Sequence, residues 1–168
     1  MSYPSFSLAA AALSLFACSA SASIATRPLD LRGTWTLLAA YEVHADGTRT
    51  TNYGEHPDGL LLVDAQGRYS LQLFRHGRAK FASGDKARGS ADEYRDTLLG
   101  SSTHYGRVAV DAAAHRLVFS IEGSSYPNWE NTQQVREYTY TDGVLTYAVP
   151  ASASGSGTIA YSVWKRAQ

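Results

Sequence analysis

From Leu29 onward, the chain consists of short segments in which apolar and polar residues alternate, separated by turn sequences. Successive side chains of a strand point to opposite faces, so this period of two predicts half-buried β-strands. Asp142-Gly143, between two aromatic-rich segments, is typical of a β-hairpin turn. The predicted strands are residues 33–43, 48–53, 59–63, 68–75, 103–110, 116–122, 134–141, 144–149 and 158–166. Their regular spacing predicts an all-β fold, either a closed antiparallel barrel or a sandwich.

One short segment has a helical sequence instead. Residues 90–93 (SADE) have the S-x-x-E form of a capping box, in which a serine and a glutamate side chain each accept a backbone N–H. Gly100 ends the apolar positions that follow. The pattern predicts a helix of about nine residues inserted between strands, with Ser90 as its N-cap. In this pattern Glu93 satisfies backbone N–H groups at the helix terminus, and a role for it as an acid or base is the alternative.

Charge and length limit the classes of function. The chain has 168 residues, with 15 basic and 15 acidic side chains and a formal net charge of zero. This length suits one domain with one core. Zero net charge removes the overall electrostatic attraction on which binding to nucleic acids or membrane surfaces depends. We therefore expect no nucleic-acid partner and no membrane span.

The N-terminal segment predicts export. Residues 8–17 form an uncharged apolar run that is too short to cross a bilayer, and a tract of small residues follows. This tract contains an Ala-Ser-Ala sequence that fits cleavage after Ala22, although the first seven residues lack Lys and Arg. We predict a signal peptide over residues 1–22, a barrel domain over residues 23–168, and a secreted or periplasmic location.

Two other interpretations of the N-terminus stay open. Cys18, the single cysteine, would carry a lipid anchor if the segment were a lipoprotein signal, although Phe16 fits that pattern poorly. Alternatively, the apolar segment has no role in export. Cleavage after Ala22 would remove Cys18, so the exported chain would depend on its core without disulfides.

The predicted strand faces combine arginines with apolar and aromatic residues. Arg136 shares a face with Tyr138, and Arg75 ends a face that carries Tyr69. A bare buried charge is prohibitive, so each arginine lies either in water at a barrel rim or beside a partner inside. The second interpretation predicts a pocket for a small polar or anionic ligand.

Two further segments extend this candidate site. Residues 126–129 (YPNW) predict either a packed turn or a pocket wall that stacks on a flat ligand. The basic segment 75–88 is either a solvated connection or a cationic lid over the barrel mouth. The candidate ligand-binding residues are Arg75, Arg136, Tyr69, Tyr105, Tyr138, Trp129 and Asn128. Trp35, Leu37, Leu71 and Phe119 would contact the apolar body of the ligand. In the competing account, the arginines pair with carboxylates such as Glu93 or Glu122 and only brace the barrel.

Metal and cofactor chemistry find little support in the sequence. The five histidines never fall at short ligand spacings, and no phosphate-binding loop, dinucleotide fingerprint or nucleophile elbow is present. We therefore expect no metal site and no cofactor. Any reaction would use acid–base groups, for which the candidates are Tyr105, Glu93 and His104.

Motifs spread along the chain resemble those of one known family. They are residues 33–35 (GTW), 53–61 (YGEHPDGLL), 67–73 (GRYSLQL), 78–81 (RAKF), 93–94 (EY), 105–106 (YG), 127–130 (PNWE) with Gln134 and Arg136, and 164–166 (WKR). In this order they resemble the bacterial and fungal lipocalin-like domain family over almost the whole chain after Leu29. The resemblance implies an antiparallel barrel of 8–9 strands closed by its first and last strands, with Trp35 buried near Arg166.

Three functions of such a barrel stay open. The first is binding of a small, partly hydrophobic molecule, with an anionic group as one option. The second is a cofactor-free isomerase, cyclase or hydratase acting on a small hydrophobic substrate in the same cavity. The third is a structural or interaction domain, since a small eight-stranded barrel can be filled by its own side chains.

Overall fold

The computed structural model describes residues 28–150 and 157–167. The predicted cleavage site after Ala22 and the alternative lipid site at Cys18 lie outside these described residues. The strands are β1 (Gly33–Val43), β2 (Arg49–Thr50), β3 (Asp58–Val63), β4 (Arg68–Phe74), β5 (Ser101–Asp111), β6 (Arg116–Ser124), β7 (Thr132–Thr141), β8 (Val144–Val149) and β9 (Ile159–Arg166). Helix α1 (Ala91–Leu99) and the one-turn 3₁₀ helices Lys86–Arg88 and Pro127–Trp129 complete the fold.

All nine strands belong to one antiparallel sheet that closes on itself. Its order is β2-β1-β3-β4-β5-β6-β7-β8-β9, and β1 also pairs with β9, from Trp35 opposite Arg166 to Val43 opposite Ile159. Eight strands therefore form the barrel, and the two-residue strand β2 extends it beside β1. This confirms the predicted barrel and its closure, and it excludes the sandwich alternative.

Two local predictions are also confirmed by the structure. Asp142 and Gly143 both have positive φ, of 52° and 79°, as a two-residue hairpin turn between β7 and β8 requires. At α1, the Ser90 side chain accepts a hydrogen bond from Glu93 N at 3.2 Å, and the Glu93 carboxylate accepts one from Ser90 N at 2.6 Å. The capping box therefore starts the helix where the sequence predicts it.

One end of the barrel, which we call the base, is sealed around Trp35. This side chain is 0% exposed, and its indole N–H donates to the Leu31 carbonyl at 2.8 Å. The Arg166 guanidinium lies 4.6 Å from the Trp35 ring centroid and donates to the backbone carbonyls of Asp30 and Arg32. The predicted burial of Trp35 near Arg166 is confirmed.

The inward face of β1 differs from strict alternation, which would place Trp35, Leu37, Ala39 and Tyr41 together. The register against β9 shifts between Leu37 and Ala39, so that Ala40 is buried instead. The extra residue of such a bulge reverses which side chains point inward. The Tyr41 ring stacks on Tyr161, its partner on β9, at 5.1 Å.

The other end of the barrel, which we call the mouth, carries the long connection between β4 and β5. This connection contains α1, none of whose residues is buried. The turn Pro127–Trp129 between β6 and β7 lies at the same end. The two ends therefore differ: the base is closed by packed aromatic rings, and the mouth is bordered by segments that remain largely exposed.

Candidate ligand-binding cavity

A cavity of about 550 Å³ extends into the barrel from the mouth. Leu98 and Leu99 of α1, both exposed, line its outer part, and the buried side chains of His104 and Arg136 line its inner part. Apolar walls come from Leu71, Leu73 and Val149, among others. The cavity argues against a barrel that is filled by its own side chains alone.

Arg136 is the only arginine on the interior face of β7, and its surroundings are unusual for a charge. Its side chain is 2% exposed, and its guanidinium lies 4.2 Å from the Phe119 ring centroid and 5.3 Å from that of Tyr147. Its Nη2 donates to Gln134 Oε1 at 2.8 Å. Within residues 28–150 and 157–167, no carboxylate pairs with it, and its Nε has no hydrogen-bond partner. Aromatic faces and neutral acceptors thus hold this cation.

His104 lies between Arg136 and Tyr69. His104 is 3% exposed. Its imidazole Nδ1 lies 2.7 Å from Tyr69 Oη, and its Nε2 lies 3.4 Å from Arg136 Nη2. Because a guanidinium can only donate, the geometry assigns Nε2 as the acceptor and places the imidazole proton on Nδ1, which donates to Tyr69. The network therefore favours one tautomer of a neutral imidazole.

Burial controls the protonation states of this cluster. It lowers the pKa of His104 well below 6.5, and the Arg136 charge lowers it further, so the imidazole is neutral at neutral pH. Burial also raises the pKa values of the Tyr69 and Tyr147 phenols, against the opposing effect of Arg136. It lowers the pKa of Arg136, while the two phenols act in the opposite direction. Arginine nevertheless keeps its charge in proteins.

Two predicted site residues lie nearer the mouth. Arg75 lines the cavity, and its Nε donates to the backbone carbonyl of Asn52 at 2.9 Å. Trp129 also lines the cavity, with its ring edge-on to His104 at 5.7 Å between centroids. The structure thus places Arg75 at the rim and Trp129 in the wall above the buried cluster.

Tyr105 does not reach the cavity. His104 is opposite Leu71 on β4 and faces the interior, so the next residue, Tyr105, points outward and is 51% exposed. Its ring lies over Gly123 on β6, beside a register shift at Tyr105 and Gly106. Because adjacent strand residues point to opposite faces, Tyr105 does not contact the His104 imidazole inside the barrel. His104 pairs with Tyr69 instead.

The remaining candidates serve local structure. Tyr138 is buried, but its ring lies 5.7 Å from that of His115 in the turn between β5 and β6, away from the described cavity lining. Asn128 is exposed and donates to Tyr126 Oη at 3.1 Å. The Glu93 carboxylate accepts the backbone N–H groups of Ala82 at 2.7 Å and Ser90 at 2.6 Å, which lower its pKa.

The carboxylates of the competing account do not reach the buried arginine. Glu93 is held by the capping box, and Glu122 pairs with Arg68 at 3.0 Å on the surface. The basic segment 75–88 is also largely a solvated connection: Arg88 pairs with Asp85 at 2.9 Å, and Arg75 is its only basic residue among the described cavity lining. Among the described residues, Arg136 therefore has no internal ion pair that would explain its burial, and segment 75–88 does not form a cationic lid over it.

The sequence did not point to three members of the cluster: His104 as an interior residue, Gln134 and Tyr147. Gln134 shares its strand parity with Arg136, and Tyr147 shares its parity with Leu145 and Val149. Parity was thus the available signal for both residues. It does not reveal contacts across the barrel, such as that between His104 on β5 and Arg136 on β7.

The closed barrel and its cavity define the class of protein. A small closed barrel with a cavity reached from one end is a ligand-binding barrel. Residues 32–167 match the family described as Lipocalin-like domain, and the chain belongs to that family. No curated protein matches the sequence. Within the part of the chain that the structure describes, no helix is long and apolar enough to cross a membrane.

Proposed function

We propose that this protein binds a small, partly hydrophobic molecule whose carboxylate or enolate oxygen pairs with Arg136. The observation that carries the proposal is the buried guanidinium at the inner end of the cavity, which no described carboxylate neutralises. Burying an unpaired charge is costly, and an oxyanion from a ligand would offset that cost by a charge-assisted hydrogen bond.

The cavity supports a ligand with an apolar body. Its volume of about 550 Å³ lies within the range of about 300–1,000 Å³ that is usual for small-molecule sites. Leu71, Leu73 and Val149 would contact the body of the ligand, and Trp129 would contact its outer part. Arg75 at the rim is half-buried and already donates to the Asn52 carbonyl, so it would contribute less to binding than Arg136.

Binding of a fluorescent carboxylate tests this proposal. The probe is a dansyl-labelled undecanoate, compared with the matched alcohol, and both are titrated into the full chain. A charge-assisted hydrogen bond contributes about 1.5–3 kcal/mol, so Arg136→Met should weaken carboxylate binding roughly ten- to a hundred-fold. The alcohol should bind wild type more weakly than the carboxylate and should be insensitive to this substitution.

Arg107→Met is the matched control, because Arg107 is exposed on the outer face of β5. It should leave both affinities unchanged. The thermal midpoint of Arg136→Met should equal or exceed that of wild type, since replacing a buried charge by an apolar side chain is often neutral or stabilising. A lower midpoint with unchanged carboxylate affinity would support the bracing account and contradict the proposal.

We also propose that the protein acts after export, in a secreted or periplasmic location. The support is the apolar run of residues 8–17 followed by the small-residue sequence at Ala22. Intact-mass analysis of the protein from its native host should give an N-terminus at Ser23. A lipid adduct on Cys18 would favour the lipoprotein alternative, and an intact N-terminus in the cytosol would contradict export.

A further inference from the structure

The row Tyr69–His104–Arg136 contains more than carboxylate binding requires. A guanidinium alone can bind an oxyanion, yet here a neutral imidazole lies between it and a buried phenol. Buried polar groups are costly unless they are satisfied, so an interior histidine calls for a physical explanation. Its position at the inner end of the cavity gives it access to the same ligand atoms as Arg136.

The tautomer of His104 leaves a basic nitrogen on the side of Arg136. Nδ1 carries the proton and donates to Tyr69 Oη, so the lone pair of Nε2 faces the guanidinium. The 3.4 Å separation between Nε2 and Arg136 Nη2 is long for a hydrogen bond, so the lone pair is only weakly engaged. A substrate carbon beside the guanidinium would lie within reach of this nitrogen.

We infer that this row is a proton-transfer site for an enolisable carbonyl compound with a hydrophobic body. His104 Nε2 removes a proton from the carbon next to the carbonyl group, and Arg136 stabilises the oxygen on which negative charge develops. Tyr69 is a positioning residue that accepts the Nδ1 hydrogen bond and holds the imidazole in place. The inference rests on the proposed function, because the same cavity and the same arginine would bind the substrate.

The reaction balances without a cofactor. The C–H bond breaks, its electron pair forms the carbon–carbon double bond of an enolate, and the carbonyl π pair moves to the oxygen beside Arg136. In a β,γ-unsaturated substrate the proton held on Nε2 then returns to the γ-carbon, the oxygen electron pair re-forms the carbonyl bond, and the carbon–carbon double bond ends in conjugation with that carbonyl group. The net change is an isomerisation, with no oxidant, reductant or leaving group.

The charged and titratable neighbours of His104 come from three other strands. Tyr69 of β4 accepts its hydrogen bond, Arg136 of β7 lies beside Nε2, and Tyr147 of β8 lies below the guanidinium. Burial and the Arg136 charge both disfavour the imidazolium, so the base is available without prior deprotonation at neutral pH. The imidazole is therefore in its proton-accepting form at that pH.

A nitrobenzisoxazole provides a probe for a positioned base that does not depend on knowing the substrate. A base removes its ring C–H proton, the C–H electron pair forms a nitrile C≡N bond, the N–O bond breaks, and the ring-opened product is a coloured phenolate. We expect the full chain to catalyse this elimination above the buffer rate. His104→Gln should lower the rate roughly a hundred-fold or more, in line with the usual effect of general-base catalysis. His76→Gln, at an exposed histidine, is the matched control and should leave the rate unchanged.

The pH profile separates catalysis by His104 from a structural effect. The rate should rise with pH through the titration of His104 and reach its plateau below pH 6.5. Tyr69→Phe removes the acceptor that stabilises the imidazolium, so the rising limb should move to lower pH. Arg136→Met removes a neighbouring positive charge, so the limb should move to higher pH. Tyr105→Phe, on the outer face, should leave the limb in place.

The two proposals fail in different ways. If the fluorescent carboxylate binds through Arg136 but the elimination rate of His104→Gln equals that of wild type, the proton-transfer inference is wrong and the binding function stands. If, instead, Arg136→Met leaves the carboxylate affinity unchanged, the binding proposal is wrong, and so is the proton-transfer inference that rests on it. Identical pH profiles for wild type, Tyr69→Phe and Arg136→Met would likewise overturn the inference.

Discussion

Two arginines inside this barrel, Arg166 at the base and Arg136 at the inner end of the cavity, have different environments. Arg166 lies over the Trp35 ring and donates to the backbone carbonyls of Asp30 and Arg32. Arg136 lies over the Phe119 ring, donates to Gln134, and leaves its Nε without a partner among the described residues. Both guanidinium groups lie against an aromatic ring. Among the described residues, Arg166 donates hydrogen bonds to backbone carbonyl oxygens, whereas Arg136 donates to a side-chain amide.

This difference distinguishes a structural arginine from a binding arginine. The base gains stability from packing, because Trp35, Tyr140 and Arg166 fill the closed end. The inner end of the cavity keeps polar groups that the chain satisfies only partly, which costs stability and leaves donors for a ligand. Substitutions at the two ends should therefore affect different measurable quantities.

The largest expected effect is at the base. Trp35→Ala should reduce the free energy of unfolding by about 3–5 kcal/mol, because it removes a fully buried aromatic ring and its contact with Arg166. Urea unfolding followed by circular dichroism measures the change. In the fraction that remains folded, the affinity for the fluorescent carboxylate should be unchanged. A selective loss of affinity at unchanged stability would contradict the division between the two ends.

A smaller effect concerns the pH dependence of stability at the cavity. The folded-state pKa of His104 lies below its unfolded value, so the unfolded chain binds the extra proton first as the pH falls through 6.5. Stability should therefore decrease on acidification by up to about 1.4 kcal/mol per pH unit from this group. The free energy of unfolding at pH 7.5 and 5.5 should differ less in His104→Gln than in wild type.

The control for this measurement is His76→Gln, because His76 is exposed and pairs with Asp58 at the surface. Its pH dependence should follow that of wild type. Wild type and His104→Gln have every other ionisable group in common, so the difference in pH dependence between them isolates His104. Equal pH dependence in wild type and His104→Gln would show that the buried imidazole is not held neutral by its surroundings.

The smallest effect is at the mouth, where α1 depends on local hydrogen bonds. Ser90→Ala removes the side-chain half of the capping box and should cost about 1 kcal/mol of helix stability. Amide exchange within Ala91–Leu99 should accelerate about fivefold, while exchange in the barrel strands remains unchanged. Faster exchange in β1 and β9 would mean that the mouth and the base are not independent.

The sequence was sufficient to predict the barrel architecture and its local turns and helix cap. The hairpin turn at Asp142-Gly143 and the capping box at Ser90 and Glu93 follow from local chemistry alone, and the structure contains both. Closure of β1 against β9 was predicted from the resemblance at the two chain ends. These features depend on neighbouring residues or on end motifs, which a single sequence displays directly.

The polar cluster was harder to predict, because it is assembled across strands. His104 and Tyr105 are adjacent, and both residue types are intermediate in burial, so their identities do not decide which of them faces the interior. The histidine faces inward because Tyr69 and Arg136, far away in sequence, offer it hydrogen bonds. The register shift between Leu37 and Ala39 likewise changes which side chains of β1 face inward, and no glycine, proline or other turn residue in that segment indicates it.

The most direct test of the account is a crystal structure of the full chain with undecanoate bound. We predict that one carboxylate oxygen lies about 2.7–2.9 Å from a guanidinium nitrogen of Arg136, the usual distance for a charge-assisted hydrogen bond. The alkyl chain should contact Leu71 and Leu73 and lead toward Leu98 and Leu99 at the mouth. A carboxylate bound at the rim beside Arg75, with Arg136 untouched, would contradict the central claim.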